Sequence, residues 1–484
     1  MNNICKGLCM LALTGLGACS LPSRLALPEA RPVPVAGGDT LALSAFQQVF
    51  QDPHLRSLID TAMLRNNTLL AAAQRIEAAR ANLLMAKKAV LPSVDLSVTG
   101  GVEKYGDYTM NGVGNYDTNL SPNINKDQRI PRNVPDYFVG LRSSWEIDLW
   151  GKLKKRKKAA YHRFLASQEG QRLLKTQIVA GIAGMYYELT ALDEELKIIE
   201  RNIVLQESAV ATVNVQKAAG RATELAVQQF TAQLLSTQGL AYNIRQQITA
   251  LENQLNAALG RFPMPVARRA DTTLPAGVKG GIPASLLLRR PDVRQAELEL
   301  AAGRADVEAA RASFLPSLTL TPYAGFNSFK AGLLFRSPAS IAWGIAGGIT
   351  APVFNKKQLR SQFNISTASA TSAFYHWQQA VVDGYKEIAT AVSKVENEQR
   401  AYALKNKEVA VLRDAVATAN IMYSTGYASY LEVITAQRSV LEAELALVTT
   451  RREVYSGLVA LYRALGGGLM EQETIFRSER KPEP

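Results

Sequence analysis

Residues 178–203, IVAGIAGMYYELTALDEELKIIERNI, decide the fold of this chain. Within them Ile178, Ile182, Met185, Leu189, Leu192, Leu196, Ile199 and Ile203 follow one another at alternating steps of four and three. That is the period of a seam between supercoiling helices, about 3.5 residues, rather than of a helix lying on a globular core. No proline interrupts the chain from Lys152 to Gly220. One helix of roughly 60 residues is therefore predicted, reaching on the order of 90 Å. The same rhythm returns at Val381, Tyr385, Ile388, Val392, Val395, Gln399 and Tyr402. The rod has a twin.

On the C-terminal side of each rod the chain turns. Gly220-Arg221-Ala222-Thr223 and Gly426-Tyr427-Ala428-Ser429 share one pattern. Glycine suits the left-handed residue that ends a helix, and Thr223 or Ser429 suits the N-cap of the helix that returns. The first return helix is predicted over about Thr223 to Leu259.

On the N-terminal side the period changes to two. A helix predicted from about Leu55 to Lys88 runs into Leu91-Pro92-Ser93, after which Val94, Leu96 and Val98 alternate with Asp95, Ser97 and Thr99. A polar loop is expected from Gly106 to Asn133. A second strand follows, with Tyr137, Val139, Leu141, Trp145, Ile147 and Leu149 opposed to Arg142, Ser144, Glu146 and Asp148. Alternation of this kind is the mark of a strand with one apolar face.

The whole arrangement occurs twice. Arg304 to Leu320 aligns with Arg80 to Leu96 without a gap, and Gly426 to Gly466 aligns with Gly220 to Gly260. The second copy supplies strands around Leu318, Leu320 and Phe326 and around Trp343, Ile345, Ile349 and Val353. Four amphipathic strands cannot close a barrel, which needs about eight. The sequence offers no layer to cover their apolar face in water, but an outer membrane would cover it with lipid. Tyr137, Trp145, Trp150, Trp343 and Phe354 suit the aromatic belts of such a barrel. An open edge in lipid leaves backbone groups unpaired, so copies of the chain must complete the cylinder. Strand count leaves a dimer of eight, a trimer of twelve and a tetramer of sixteen open.

The 484 residues, 47% apolar and 20% charged, exclude disorder by composition. The net charge of +13 is spread along the helices apart from one knot, Lys152 to Lys158, a distribution that argues against nucleic acid. The chain opens with Lys6, an apolar stretch from Leu8 to Leu16, and Leu16-Gly17-Ala18-Cys19, which resembles a lipobox. Cleavage would then precede Cys19, whose thiol would carry the lipid, with Ser20 after it favouring the outer membrane. Pro22, Pro28, Pro32 and Pro34 mark a tether behind it. The organisation read from sequence is a signal at 1–18, a lipidated tether at 19–50, a first repeat at 51–260, a connector at 261–290, a second repeat at 291–468 and a tail at 469–484.

With these features in order, the chain resembles the outer membrane efflux proteins of the TolC-like family, in their NodT-like lipoprotein branch. The marks are Leu288-Arg289-Arg290-Pro291-Asp292-Val293-Arg294-Gln295-Ala296-Glu297, the paired Leu-Pro-Ser strand starts, Trp145-Glu146-Ile147-Asp148-Leu149-Trp150-Gly151-Lys152 and Ala464-Leu465-Gly466-Gly467-Gly468. The resemblance implies a mixed α and β membrane protein: a homotrimer whose twelve-stranded β-barrel continues into a long periplasmic α-helical barrel. It implies a passive exit duct for small molecules, joined through a periplasmic adaptor to an inner-membrane pump, often of the resistance-nodulation-division type. A duct for a secreted protein uses the same fold, and a pore-free coiled-coil scaffold would share only the heptads. The turns Gly220, Arg221, Ala222, Thr223 and Gly426, Tyr427, Ala428, Ser429 would meet the adaptor, and Tyr423, Glu432 and Thr435 would belong to the gate. Here the sequence departs from the pattern. Thr435 replaces the second acid, Ala428 stands where the best-known member has arginine, and Ala226 where it has aspartate, so the salt-bridge latch is not carried over. Three copies of Glu432 would form one acidic ring, against the simpler reading of a solvated glutamate on a helix face.

Catalysis and cofactors are not expected. His54, His162 and His376 are far apart in sequence and fit no zinc spacing. No phosphate-binding loop, nucleophile elbow or cysteine pair occurs in the predicted mature chain.

Overall fold

The computed structural model describes residues 21–30, 50–269, 274 and 287–467. Among the described residues eight α-helices and four strands follow in the order α1 (Pro53–Arg65), α2 (Asn67–Lys88), β1 (Ser93–Glu103), α3 (Met110–Leu120), β2 (Val134–Ile147), α4 (Lys152–Ala218), α5 (Glu224–Ala258), α6 (Pro291–Ala312), β3 (Ser317–Ser328), β4 (Ile341–Thr350), α7 (Lys356–Ser424) and α8 (Tyr430–Ala464). Among the described residues, no helix is long and apolar enough to cross a membrane. The chain divides into two compact units, one of residues 1–28, 78–164 and 299–374, the other of residues 29–77, 165–298 and 375–484.

The first unit holds the sheet. Its strands pair antiparallel in the order β1-β2-β3-β4, which leaves β1 and β4 as edges. Register fixes what each face carries. Val94, Leu96 and Val98 stand beside Ser143, Leu141 and Val139; Leu141 and Val139 stand beside Ala324 and Phe326; these stand beside Trp343 and Ile341. One face is therefore apolar across all four strands, and most of its side chains lie open in the protomer, among them Val94, Leu96, Val98, Leu141, Ile341 and Trp343. The other face carries Asp95 opposite Arg142 and Glu146 opposite Thr319. Phe138 is the exception there, only 3% exposed. It lies across Gly140 and Gly325, where a Cβ on either glycine would come within 3.0 Å of its ring, and the Arg142 guanidinium sits 4.6 Å above it. An aromatic on the polar face is thus shielded by a cation and two missing side chains.

The second unit holds most of the coiled helices. The seam residues Ile182, Leu189, Leu192 and Ile199 of α4 are buried, as are Val381, Ile388 and Val395 of α7. Tyr187 stacks on Tyr455 of α8 at 4.1 Å. Ion pairs run beside this seam, among them Arg452 of α8 with Glu188 of α4 at 2.7 Å and Lys394 of α7 with Glu453 of α8 at 2.6 Å. Arg290 is 4% exposed. Its guanidinium reaches Asp292, Glu387 and the carbonyl of Ala464, which explains why the Arg-Pro-Asp motif is a packing element.

Two expectations are corrected. The helix expected from Leu55 to Lys88 is broken at Asn66, which is extended (ψ 116°) between α1 and α2. Its side chain donates to the carbonyl of Ala258 at 2.7 Å and accepts from the Leu69 amide at 2.9 Å, so a long-range contact and a cap together outweigh helix continuation. The loop expected from Gly106 to Asn133 contains α3, started by the Thr109 hydroxyl accepting from the Gly112 amide at 3.1 Å. Most of the connector, residues 270–273 and 275–286, lies outside the described residues.

Candidate functional site

Both long helices end in the same way, and the reason is visible in the backbone. Gly220 and Gly426 adopt φ of +68° and +81°, where a side chain on an L-residue would strain the chain. Around Gly220 the amides of Arg221 and Gly220 reach the carbonyls of Gln216 and Lys217 at 2.8 and 2.9 Å; around Gly426 those of Tyr427 and Gly426 reach Met422 and Tyr423 at 2.8 and 3.2 Å. Each is a Schellman closure, which satisfies carbonyls the helix would otherwise leave open. Thr223 then caps α5, accepting from the Ala226 amide at 3.2 Å, and Ser429 caps α8, accepting from the Leu431 amide at 3.3 Å.

The fold brings the two turns together. Val213, Ala226, Phe230 and Val433, one or more from α4, α5 and α8, form a buried cluster, and Ala222, Tyr423, Tyr430 and Ile434 pack against it. Ala222 is thus half-buried, while Gly220, Arg221, Thr223, Gly426, Tyr427 and Ser429 stay exposed. Ala226, at the position where the best-known member of the resembled family has an aspartate, is fully buried in this cluster.

Of the residues assigned to the gate, Tyr423 is half-buried, and Glu432 and Thr435 are exposed. Burial pushes the Tyr423 phenol up, so it stays a neutral donor; its hydroxyl donates to the Gln216 side chain of α4. Glu432 sits three residues after Ser429 and receives the Ser429 hydroxyl. That hydroxyl, with the backbone amides of Glu432 and Ser429 behind it, holds the Glu432 carboxyl below the usual carboxylate range. Its charge is therefore present at neutral pH, held against the Ser429 hydroxyl at the start of α8. The sequence does not show three partners here: Gln216, the Lys217–Glu224 ion pair across the first turn, and the Ser429–Glu432 hydrogen bond. Only the last had a sequence signal, Ser-x-x-Glu ahead of an apolar run. Cys19 lies outside the described residues. Among the described residues no three His, Cys, Asp or Glu side chains gather closely enough to hold a metal ion.

A family model described as outer membrane efflux protein matches residues 58–261 and 282–467. The pyoverdine export outer membrane protein OpmQ of Pseudomonas putida is 28% identical over 476 residues, which cover 96% of this chain and 97% of that protein. The cation efflux system protein CusC of Escherichia coli K12 is 26% identical over 471 residues, covering 95% and 97%. Among solved structures, the outer-membrane channel OprN superposes with a TM-score of 0.80 at 26% identity, covering 93% of this chain and 99% of that one.

Proposed function

Since the chain belongs to the outer membrane efflux protein family and carries its channel fold, we propose that three copies assemble into the exit duct of a tripartite efflux system. Members of this family are efflux channels of the outer membrane rather than enzymes, and this chain is the outer membrane component of such a system. The observation that carries the assembly is the sheet: one face apolar across four strands, with two edges unpaired. Burying such a face in lipid demands closure, and closure demands partners of identical curvature. Twelve strands give a lumen wide enough to conduct.

At the other end of the helices, six turns per trimer would be offered to a periplasmic adaptor and, behind it, a resistance-nodulation-division pump. Exposed Arg221 and Tyr427 are the side chains there with reach enough for a partner. Tyr423, Glu432 and Thr435 would line the closing mouth, with Glu432 the charged member. A lipid on Cys19 would hold the amino end at the membrane. The cargo is a small molecule; the relatives' names span pyoverdine, toluene and cations, so fold alone does not select it.

The test is the mass and conductance of the purified mature protein. A detergent-soluble trimer that forms open channels in planar bilayers supports the duct. A water-soluble monomer without conductance refutes it.

A further inference from the structure

The run Lys152-Leu153-Lys154-Lys155-Arg156-Lys157-Lys158 places six cations in seven residues, and no carboxylate follows before Glu169. These residues fill the first two turns of α4, where the helix dipole is itself positive, so neither helix stability nor mutual repulsion favours them. The fold relieves only part of the charge. Lys152 pairs with Glu146 and Lys155 with Glu308. Asp148 is taken by the backbone, accepting from the amides of Leu153 and Lys154 at 3.0 and 2.8 Å. Lys154, Arg156, Lys157 and Lys158 are exposed and join no ion pair among the described residues.

The excess is not confined to α4. α2 ends in Lys87-Lys88, both exposed, just before β1. α7 opens with Lys356, Lys357 and Arg360 just after β4, and the sequence from Ala309 through Val382 has no carboxylate at all. All three places lie at the same end of the sheet, where β1 begins and β2 and β4 end. Two further features mark that end. The indoles of Trp145 and Trp150 donate to the carbonyls of Val90 and Pro316 at 3.1 and 2.6 Å, an aromatic belt with its polar atoms satisfied. The amino-terminal segment also arrives there: Arg311 donates to the carbonyl of Pro22 at 2.9 Å, and Leu25 packs on the cluster of Val307, Phe363 and Ala370.

We propose that this basic collar binds the phosphate headgroups of anionic phospholipid in the periplasm-facing leaflet of the outer membrane. The inference rests on the reading of the apolar sheet face as lipid-facing. A cation just beyond an apolar band stands at headgroup depth, and its long stem can lie along the acyl boundary while its charge meets phosphate. Successive residues on a helix point about 100° apart, so Lys154, Arg156, Lys157 and Lys158 address several directions at once. Fluid headgroups around a barrel can meet all of them, whereas one face of a docked protein cannot.

The test uses the full mature protein in dioleoyl-phosphatidylcholine vesicles carrying trace spin-labelled phosphatidylglycerol or spin-labelled phosphatidylcholine, with the motionally restricted fraction read by electron spin resonance. Wild type should associate with phosphatidylglycerol about fivefold or more over phosphatidylcholine, and less so in 1 M salt. The variant Lys154→Gln/Arg156→Gln/Lys157→Gln/Lys158→Gln, checked for insertion and assembly, should lose most of that preference. Equal association of the two lipids in wild type, or an unchanged preference in the variant, overturns the proposal. So does loss of the preference to millimolar inorganic phosphate at fixed ionic strength, which would make free phosphate the ligand. No lipid preference together with lost export in the variant would assign the collar to a protein partner instead. Protein that fails to insert at all overturns the channel reading as well; insertion without preference overturns the collar alone.

Discussion

Ile345→Arg separates a lipid-facing sheet from a water-facing one. Ile345 is the fifth of ten residues in β4. It is 72% exposed and shares its face with Trp343 and Ile349. A strand of that length spans about 33 Å, or roughly 25 Å when tilted as barrel strands are, so its middle falls near the bilayer midplane. Were the face in water, replacing so exposed a side chain would change stability by no more than about 0.5 kcal/mol. In lipid an arginine at the midplane costs about 2–4 kcal/mol per strand. Three copies in one barrel give roughly 6–12 kcal/mol, as large as the whole stability of a typical domain. Ala346→Arg is the control: same strand, same added charge, opposite face, beside Thr321. It should leave folding into vesicles close to wild type. The assay is urea titration of folding into vesicles, followed by heat-modifiable electrophoretic mobility. If both variants shift alike, or neither does, the assignment of faces is wrong and with it the closure argument.

Gly220→Val or Gly426→Val should cost roughly 1–2 kcal/mol at the turn through backbone strain alone, because an added Cβ at either site meets nothing within 4 Å. Asn, which tolerates the left-handed region, should cost less; export by cells holding the matching pump and adaptor should fall for Val with trimers retained, and trimers that fail to form would make the turns purely structural. Glu432→Gln keeps an acceptor for the Ser429 hydroxyl but removes one charge per subunit, so bilayer recordings should show a lower cation-to-anion permeability ratio at little changed thermal stability; an unchanged ratio removes Glu432 from the mouth. Lys394, and after it Arg452, hold the Glu453 carboxyl below its ordinary value, so this pairing stabilises the fold above the unfolded pKa of about 4.3 and is lost as pH falls through the lower folded value. Lys394→Gln should therefore lower the melting temperature at neutral pH and flatten its fall on acidification, measured by thermal unfolding in detergent between neutrality and about pH 3.

What could be read from sequence was whatever repeats along the chain. A heptad fixes its partner-facing stripe every few residues, so Ile182 through Ile199 announced a buried seam many turns long, and α4 begins at Lys152 as expected. Alternation likewise fixed the faces of all four strands. Single events decided by distant groups were not legible. Nothing near Asn66 breaks a helix; the break depends on the carbonyl of Ala258, 192 residues away. Residues 110–120 contain three asparagines and two glycines, poor helix formers, and fold as α3 under the Thr109 cap. Alternation puts Phe138 on the polar face but gave no sign that it would be buried there, because part of its shelter is made by Gly325 of another strand. The tips were legible as turns, but not as neighbours.

That neighbourhood is held by different contacts in the two turns. The aligned repeats place Lys217 over Tyr423 and Glu224 over Tyr430. In the first tip these positions pair with each other, Lys217 with Glu224, closing the turn on itself. In the second, Tyr423 instead crosses to Gln216 of the first hairpin, and Tyr430 packs on the shared cluster. The duplication has therefore split two tasks: one turn is self-contained, and the other is tied to it. An exposed ion pair contributes about 0–1 kcal/mol and a single neutral hydrogen bond about 0.5–1.5 kcal/mol. Moving the second turn away from the first breaks one such bond and uncovers part of one phenol, on the order of 1–2 kcal/mol in each chain. A difference of this size is enough to favour the two turns side by side within the protomer.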